Sequence, residues 1–359
     1  MKISTLLLAT IIFWGCQSNQ EQQDQEEITL TVPVFADDGG LELPENFIST
    51  VVIDSTHRNA RHLAVNENGD IYLKMRSETI PGVLALRDTD GDAKADESVA
   101  FGNFKGTGIG IHNGYLYASS HEEVFRYKLM ENSLLPDTTA ELVVTGFPEQ
   151  NEHADKSITF DNSGHIYVNV GAPSNACMEN HRTAGSAGMD PCPQRERQAS
   201  IWRFDANTLG QTQEQDGHQY CKGVRNCVAI TWNSATNSLY AAQHGRDQLS
   251  MFWPEMFDDK QNAELPAEEF IQISDGDDFG WPFCYYDQLQ NVKILAPEYG
   301  GDGKQVGRCA EKKDPIMAFP GHMAPNDLLF YQGSLFPEKY RNGAFIAFHG
   351  SWNRAPEPQ

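Results

Sequence analysis

Short apolar segments alternate with polar turns along most of the chain. The recurring unit is a short apolar strand, a turn of Asn, Asp and Gly residues, and a second alternating strand, which is the pattern of a β-hairpin. The first three units start at Arg61, Thr107 and Lys156, which are 46 and 49 residues apart, and two more start at Asn226 and Asn326. This spacing is typical of four-stranded propeller blades. The pattern therefore predicts an all-β fold, and it favours a β-propeller over a β-sandwich.

Two long segments interrupt the repeat. Residues 171–198 and 251–308 are rich in Pro, Gly, Asn and Asp. Loops of this length often build binding or catalytic sites, although they can also be surface decoration. The two insertions are therefore candidates for the walls of a functional site.

The N-terminal segment predicts export. Lys2 precedes an apolar run from Leu6 to Trp14, which is too short to span a bilayer and ends at Gly15-Cys16. This arrangement predicts a lipoprotein signal over residues 1–15, with an ordinary cleaved signal as the alternative. Residues 16–27 are rich in Gln, Glu and Asp and predict a disordered tether, which leaves 28–359 as a β-propeller catalytic domain. We expect a lipid anchor on the periplasmic or cell-surface side of a bacterial envelope, with the outer membrane favoured.

The cysteines suit such an address. Of the seven cysteines, Cys16 would carry the lipid. The other six pair by proximity as Cys177 with Cys192, Cys221 with Cys227, and Cys284 with Cys309. Disulfides are typical of an oxidising compartment. Zinc sites are the rival interpretation, but no CxxC or Cys/His spacing of the zinc type occurs, and the connectivity itself stays open because six cysteines allow about fifteen pairings.

The net charge of −23 limits the partners of the protein. Nucleic acid and anionic membrane surfaces both require a basic face that displaces counterions, so neither is an expected partner. Against this acidic background, the basic residues that occur beside polar motifs indicate sites for an anionic ligand.

One acidic turn has the spacing of a cation site. Asp88, Asp90, Asp92 and Asp96 alternate with small residues around Gly91. Carboxylates at alternate positions can converge on a hard cation such as calcium. The EF-hand pattern is only partly met, because its final Glu is absent, and a solvated acidic turn is the alternative interpretation.

Polar residues recur where the inner strands of the blades should begin. Arg61, His153, Lys156 and the Arg225-Asn226 pair stand at such positions. In a propeller these strand starts ring the central channel on one face. Repetition at one level of the ring predicts a site at the channel mouth. The polar residues that directly follow predicted strands are His244, Gly245, Arg246, Asn353 and Arg354.

These segments resemble the sugar dehydrogenases that depend on pyrroloquinoline quinone (PQQ), most closely the sorbosone-dehydrogenase-like or pyranose-dehydrogenase-like branch. The likeness runs from about Leu43 to the end of the chain. The most specific stretches are VGAPSNAC at 170–177, GVRN at 223–226, QHGRDQ at 243–248, FGWP at 279–282 and FHGSWNR at 348–354. The resemblance implies a six-bladed β-propeller with PQQ over the channel mouth. Because the chain stops soon after the fifth repeat, we expect the last blade to be incomplete and the domain to be truncated at its C-terminus.

The resemblance also implies roles for individual residues. His153 matches the catalytic base and Arg225 the cation beside the quinone. Backbone carbonyls at Gly245 and Arg246 would hold the calcium ion that accompanies the cofactor, although the family has Gly-Pro there. Where the family has a cofactor-binding Lys, this chain has Asn353 beside Arg354. The full set expected to bind the cofactor is Arg61, Lys156, Asn226, His244, Arg246, Asn353 and Arg354.

Elementary chemistry agrees with these assignments. Oxidation of a sugar hydroxyl needs a base whose pKa suits neutral pH, and His has one. A fixed guanidinium stabilises the negative charge that develops on a quinone oxygen, and cations hold the carboxylates of PQQ. The sequence thus predicts a quinoprotein that oxidises an aldose, sugar aldehyde or related polyol and passes electrons to an external acceptor. The alternatives are a propeller that binds a glycan or a protein, and a calcium-dependent propeller hydrolase or lactonase.

Overall fold

The computed structural model describes residues 39–54, 59–76 and 81–358. The predicted signal peptide, the acylated Cys16 and the tether lie outside these ranges. Within them, no helix is both long and apolar enough to cross a membrane. Strands dominate the described chain, which confirms the all-β prediction.

Successive antiparallel sheets form the blades of a propeller. Each blade starts with its inner strand, and a sheet of four strands is completed before the chain moves to the next blade. The first blade contains β1 (Ala60–Val65), β2 (Ile71–Met75), β3 (Val83–Arg87) and β4 (Glu97–Phe101). The second contains β5 (Ile109–His112), β6 (Tyr115–Ser119), β7 (Val124–Lys128) and β8 (Glu141–Thr145).

The next two blades carry the insertions. The third blade contains β9 (Ile158–Phe160), β10 (His165–Val170), β11 (Ser200–Asp205) and β13 (His218–Lys222), and β12 (Gln211–Thr212) adds to the edge of the second blade. The fourth contains β14 (Ala229–Asn233), β15 (Ser238–Gln243), β16 (Glu268–Ile273) and β20 (Met317–Phe319). A fifth sheet begins with β21 (Pro325–Phe330) and β22 (Ala344–Phe348). The described chain thus holds four complete blades and two strands of the next one.

The remaining elements belong to the loops. Between β15 and β16 lie the short helices α2 (Leu249–Phe252) and α3 (Asp259–Glu264), and α1 (Gln213–Asp216) precedes β13. Between β16 and β20 lie β17 (Asp277–Asp278), β18 (Cys284–Asp287) and β19 (Val292–Leu295). The predicted insertion 251–308 is therefore two loops, because the alternating segment Glu268–Ile273 forms a blade strand between them.

Local sequence explains the hairpins that build each blade. His112 pairs with Tyr115 across the turn between β5 and β6, so Asn113 and Gly114 alone connect the strands. Both residues have positive φ, 47° and 76°. A two-residue turn of this kind matches the right-handed twist of the flanking strands, and Asn-Gly is its preferred sequence.

The hydrophobic core lies between neighbouring blades. Tyr72 and Val83 of the first blade pack with Ile109 and Leu116 of the second. The same arrangement joins the second blade to the third, the third to the fourth, and the fourth to the strands β21 and β22. The inner strands β1, β5, β9, β14 and β21 follow one another and line an open central cavity of about 850 Å³. This radial packing confirms the propeller. It also places the starts of the inner strands on one face of the ring.

Two of the three predicted disulfides are present. Cys177 bonds to Cys192, and Cys284 bonds to Cys309. The third predicted pair is wrong, because Cys221 and Cys227 are free thiols. Both pack in the apolar cluster between the third and fourth blades, and burial raises the pKa of Cys221 to about 12. A buried, protonated thiol does not react as the thiolate that disulfide exchange requires.

Peptide mapping under non-reducing conditions tests this cysteine assignment. We expect the bridges Cys177–Cys192 and Cys284–Cys309, and thiols at Cys221 and Cys227 that react with a thiol reagent only after denaturation. Replacing both Cys284 and Cys309 by Ser should lower the free energy of unfolding by about 3 kcal/mol, because the bridge closes a loop in the unfolded chain. A Cys221–Cys227 bridge in the native protein would contradict the assignment.

Candidate active site

A cavity of about 230 Å³ lies where the inner strands of the third, fourth and fifth sheets begin. Strand starts and the ends of their antiparallel neighbours meet at one edge of each sheet, so residues far apart in sequence come together there. The residues that line this cavity, called here the mouth cavity, are His153, Arg225, His244, Gly245, Asp247, Glu268, His322, Ala324, His349, Ser351 and Trp352. Four of the residues predicted for the site, His153, Arg225, His244 and Gly245, are therefore brought together.

His153 is held in one orientation by the loop before β9. Its backbone is in the left-handed region, with φ of 52°. Its Nδ1 lies 2.6 Å from the carbonyl oxygen of Ala172, so Nδ1 carries the proton and donates it to that oxygen. This leaves Nε2 as the unprotonated nitrogen. Burial and the nearby charge of Arg225 lower the pKa of His153 to about 3, so the imidazole is neutral at physiological pH.

Gly171 makes room for this histidine. A Cβ on Gly171 would lie 2.6 Å from the Cβ of His153 and 2.8 Å from Oδ1 of Asn226. Gly171 directly follows β10, at the start of the first long insertion. Only glycine fits there, because a Cβ atom would collide with the Cβ and carbonyl oxygen of His153 and with the side chain of Asn226.

Four of the five N–H donors of Arg225 are hydrogen-bonded within the described chain, and its side chain is almost completely buried. Its Nη1 donates to the carbonyl oxygen of Gly245 at 2.9 Å, and its Nε donates to the carbonyl oxygen of Asn175 at 3.3 Å. Its Nη2 donates to the side-chain oxygen of Asn175 at 3.1 Å and to the carboxylate of Asp247 at 2.8 Å. These bonds fix the plane of the guanidinium at the wall of the cavity.

Asp247 connects Arg225 to the later part of the chain. Its second carboxylate oxygen accepts a hydrogen bond from the amide of Asn353 at 3.3 Å and lies 3.7 Å from Nδ1 of His322. Although burial opposes ionisation, the charges of Arg225, His322 and Arg182 lower the pKa of Asp247. The carboxylate is therefore the permanent counter-charge of the cavity. Asn353, predicted to bind the cofactor, is buried behind it.

Glu268 is a cavity residue that sequence reasoning missed. Its carboxyl group accepts hydrogen bonds from the backbone N–H groups of Gly245, at 3.2 Å, and Ala324, at 3.4 Å. Burial raises the pKa of Glu268 to about 8. One sequence signal could have identified Glu268. It is the first residue of an alternating segment in the second insertion, and in a strand the side chains of Glu268 and Glu269 must point to opposite faces. The neighbour, Glu269, instead bonds to buried Lys293.

The remaining cavity histidines were only partly foreseen. His244 lies with Nε2 2.8 Å from the carbonyl oxygen of Pro325, and burial lowers its pKa to about 4. His322 was missed because it stands in a Gly-His-Met segment that resembles an ordinary turn before β21. Its Nε2 lies 2.8 Å from the carbonyl oxygen of Asn262, so the backbone orients this ring as well.

Three predicted cofactor-binding cations do not face the cavity. The ammonium of Lys156 donates to the carbonyl oxygen of Ala154. The guanidinium of Arg246 is paired with the buried carboxylate of Glu298. Arg354 donates to the carbonyl oxygen of Gly321 at 2.6 Å and pairs with a glutamate of α3. Each of these cations is directed into the protein because a local acceptor satisfies it there.

The other predicted site residues have mixed positions. Asn226 is buried, and its Oδ1 accepts a hydrogen bond from Asn169 at 3.0 Å. The Gly245 carbonyl, a predicted calcium ligand, already accepts the Nη1 of Arg225. Arg61 lies on the first blade near Arg76 and Asp155, away from the residues of the mouth cavity.

The predicted acidic turn brings three of its four carboxylates together. Ligand atoms of Asp88, Asp90 and Asp96 lie within 4.8 Å of one another, and all three residues are exposed. Asp92 is not part of this group. Its Oδ1 accepts the backbone N–H of Lys94 at 2.8 Å. Calcium binding at this turn stays a prediction.

The fold and the mouth cavity together define a propeller with a polar site at one end of its channel, and comparison with known proteins identifies its family. The chain belongs to the TrAA12-like family, whose model matches residues 42–358. This match confirms the predicted resemblance to PQQ-dependent sugar dehydrogenases.

Individual relatives are distant but cover most of the chain. A PQQ-dependent sugar dehydrogenase of Hypocrea jecorina is 20% identical over 97% of this chain and 80% of its own length. The holo PQQ domain of the pyranose dehydrogenase of Coprinopsis cinerea superposes with a TM-score of 0.65 at 19% identity, covering 83% of this chain and 73% of that domain. A calcium structure of the Trichoderma reesei member of carbohydrate-active enzyme family AA12 gives 0.66 at 20% identity, covering 85% and 76%.

Substitution of Gly171 tests the geometry around His153. We expect Gly171→Ala to lower the free energy of unfolding by about 1 to 3 kcal/mol, because the added methyl group collides with backbone and with buried Asn226. The imidazole should also move, which can be followed by the NMR shift of its Nδ1–H. A variant with wild-type stability and an unchanged imidazole resonance would contradict the close contacts around position 171.

Proposed function

We propose that this protein is a PQQ-dependent oxidoreductase that transfers a hydride from a sugar to the quinone and passes the electrons to an external acceptor. The observation that carries this proposal is the placement of two groups in one cavity. His153, with Nε2 free of protein hydrogen bonds in the described chain, and the fixed guanidinium of Arg225 both line the mouth cavity. Membership of the TrAA12-like family and the names of the relatives support the same function.

The residues of the mouth cavity fit such a cofactor. PQQ is planar and carries three carboxylates. The cavity offers Arg225 and the imidazoles of His153, His244, His322 and His349 as polar partners for an anion. Trp352 is 68% exposed and is one of the residues that line the cavity, so its ring offers aromatic surface to a planar ligand. Two carboxyl groups oppose this set, and Glu268 is protonated below pH 8.

His153, Arg225 and Asp247 have different roles in the proposed reaction. When bound, PQQ supplies the two-electron acceptor that no side chain provides. Nε2 of His153 accepts the proton of the substrate hydroxyl, since Nδ1 is held by Ala172. Arg225 stabilises negative charge near the cavity wall. Asp247 keeps the guanidinium in place and balances its charge when the cavity is empty of anions.

We propose calcium as a second component of the site. Its support is the carbonyl of Gly245 beside the carboxyl groups of Asp247 and Glu268 in a single cavity, since oxygen ligands suit this ion. Because Arg225 already donates to the Gly245 carbonyl, a cation there lies next to a guanidinium. The carboxylate of Asp247 would offset that repulsion.

The hydrolase alternative loses its ligand set. Asn226, Asp247, Asn326 and Asp327 were the oxygen ligands available for a catalytic metal. Asn226 bonds to Asn169, and Asp327 lines the central channel while Asp247 lines the mouth cavity. The two carboxylates of this set therefore line different cavities.

The larger architecture and the address are further parts of this proposal. We propose a six-bladed ring, supported by the four complete blades that are followed by the strands β21 and β22 of a further sheet, and by membership of the TrAA12-like family. We also propose export and lipid anchoring at Cys16. The two disulfides support an oxidising compartment.

Cofactor titration and a histidine variant test the function. Addition of PQQ and calcium should produce saturable binding and sugar-dependent reduction of a dye. His153→Asn should lower turnover by about 10² to 10⁴ while PQQ still binds, since Asn tolerates the left-handed backbone but supplies no base. His112→Asn, at a ring in the channel away from the mouth cavity, is the matched control. Absence of PQQ binding, or unchanged turnover in His153→Asn, would reject this mechanism.

The pair of Arg225 and Asp247 gives an independent test. Arg225→Lys should weaken PQQ binding and lower turnover together, because an ammonium cannot reproduce the bonds to Asn175, Gly245 and Asp247. Asp247→Asn should cost less turnover, since Asp247 acts through Arg225. If Arg225→Lys alters neither PQQ affinity nor turnover, the guanidinium serves folding alone.

A further inference from the structure

A second cluster of charged residues lies on the same face of the ring, at the first three blades. Asp155 is two residues from His153, in the loop that leads to β9. Its carboxylate lies 3.3 Å from Nε of Arg76 and 3.2 Å from Nε2 of His121. Arg61, at the start of β1, adds its charge to this group. Three basic side chains from two other blades therefore surround one carboxylate.

Two fully buried lysines lie behind this cluster. The ammonium of Lys74 donates to the carbonyl oxygens of Gly82 at 3.3 Å and Phe104 at 3.1 Å. That of Lys156 donates to the carbonyl oxygen of Ala154. Their described hydrogen-bond partners are thus carbonyls, which do not cancel a charge. Burial lowers the pKa of both lysines to about 8, and the charge of Asp155 acts on both in the opposite direction.

The cluster has an excess of positive charge in a protein of net charge −23. The basic groups whose charge interacts with Asp155 are Arg61, Arg76, Lys74 and Lys156, and His121 adds to them when protonated. The described acidic groups that act on the same residues are Asp155 and the exposed Glu122. Burying ammonium groups without carboxylate contacts is costly, so an anion that binds here stabilises the arrangement.

The cluster is open to a ligand. The side chain of Arg76 is 53% exposed and that of His121 is 29% exposed. His121 and Phe104 also line an open pocket of about 350 Å³ between the first two blades. Arginine pairs with carboxylates through two parallel hydrogen bonds, so an exposed arginine beside a histidine suits a carboxylate better than a hydroxyl group.

The position of the cluster relates it to the mouth cavity. Consecutive Cα atoms are about 3.8 Å apart, so the Cα atoms of His153 and Asp155 are separated by at most about 7.6 Å. The loop that carries His153 therefore also carries the carboxylate at the centre of the cluster. We propose that Arg61, Arg76 and His121 form a carboxylate subsite, and that the sugar oxidised by this protein carries a carboxylate, as a hexuronate does.

This inference rests on the proposed function for the oxidation, but the subsite is tested by binding alone. Calorimetric titration of the full chain with glucuronate and with glucose compares an anionic sugar with its neutral counterpart. We expect glucuronate to bind more tightly at low salt, and the preference to shrink as salt screens the charges. Arg76→Gln should reduce the ratio of the two affinities by about tenfold, the usual loss for a charge-assisted contact.

Two controls make the result specific. Arg341→Gln, which removes an exposed arginine in the turn before β22, should leave both affinities unchanged. Arg76→Gln should also be titrated with PQQ, because the carboxylates of the cofactor share the chemistry of a hexuronate. Thermal melts of each variant establish that it is folded.

Each outcome decides the proposal. Equal affinities for the two sugars, or an Arg76→Gln variant with an unchanged ratio, would overturn the subsite. A variant that binds PQQ tenfold more weakly while its sugar preference persists would assign the cluster to the cofactor instead. Glucuronate binding without any dye reduction would reject the oxidoreductase and leave the subsite standing. Dye reduction with neutral sugars and no preference for glucuronate would do the reverse.

Discussion

The guanidinium of Arg225 is the point on which the site depends. It joins Asn175 in the first insertion with Gly245 and Asp247 after β15. Asp247 extends the connection to Asn353 after β22. Through Arg225 and Asp247, Asn175 is thus connected to Asn353, far along the chain. The propeller brings these segments to the same end of the channel. Four of the five N–H donors of Arg225 are already bonded to the protein, so the guanidinium is held in place before any ligand arrives.

Desolvation sets the charge state of everything around this cation. Burial lowers the pKa values of His153 and His244 to about 3 and about 4, and it raises that of Glu268 to about 8. At neutral pH these three groups are therefore uncharged, and the guanidinium of Arg225 is balanced by the carboxylate of Asp247. An anion that enters the cavity therefore meets Asp247 as an opposing negative charge but no charge on Glu268. Desolvation also leaves the imidazole of His153 unprotonated, and it makes this imidazole a weaker base than a solvent-exposed one.

The sequence predicted the fold well and the site in part, for a physical reason. Hairpin turns such as Asn113-Gly114 are local, so the repeat and the starts of the inner strands can be recognised from spacing alone. Because His153 and Arg225 stand near such strand starts, their position at the mouth of the channel could be predicted as well. The directions of charged side chains did not follow, because they depend on partners remote in sequence. Arg246 is paired with Glu298, which no spacing indicates.

The two errors have the same origin. Cys221 and Cys227 are close in sequence, but Cys221 lies in β13 of the third blade and Cys227 precedes β14 of the fourth, and both are free thiols. Glu268 was hidden because a blade strand interrupts the second insertion, and its carboxyl group points into the cavity only once β16 is paired with β15. Periodicity identifies strands, whereas tertiary pairing decides which face of each strand meets the site.

The carbonyl oxygen of Asn175 links the site to the chemistry of maturation. It accepts hydrogen bonds both from Nε of Arg225 and from the indole N–H of Trp281 at 3.1 Å, and so connects the two loops that the disulfides close. Cys177 is two residues from Asn175, and Cys284 is three residues from Trp281. Without the bridges both loops gain conformational freedom, and the carbonyl that orients the guanidinium is no longer held in place. Oxidation of the four cysteines therefore restrains the segments beside the guanidinium of Arg225 as well as the two loops that the bridges close.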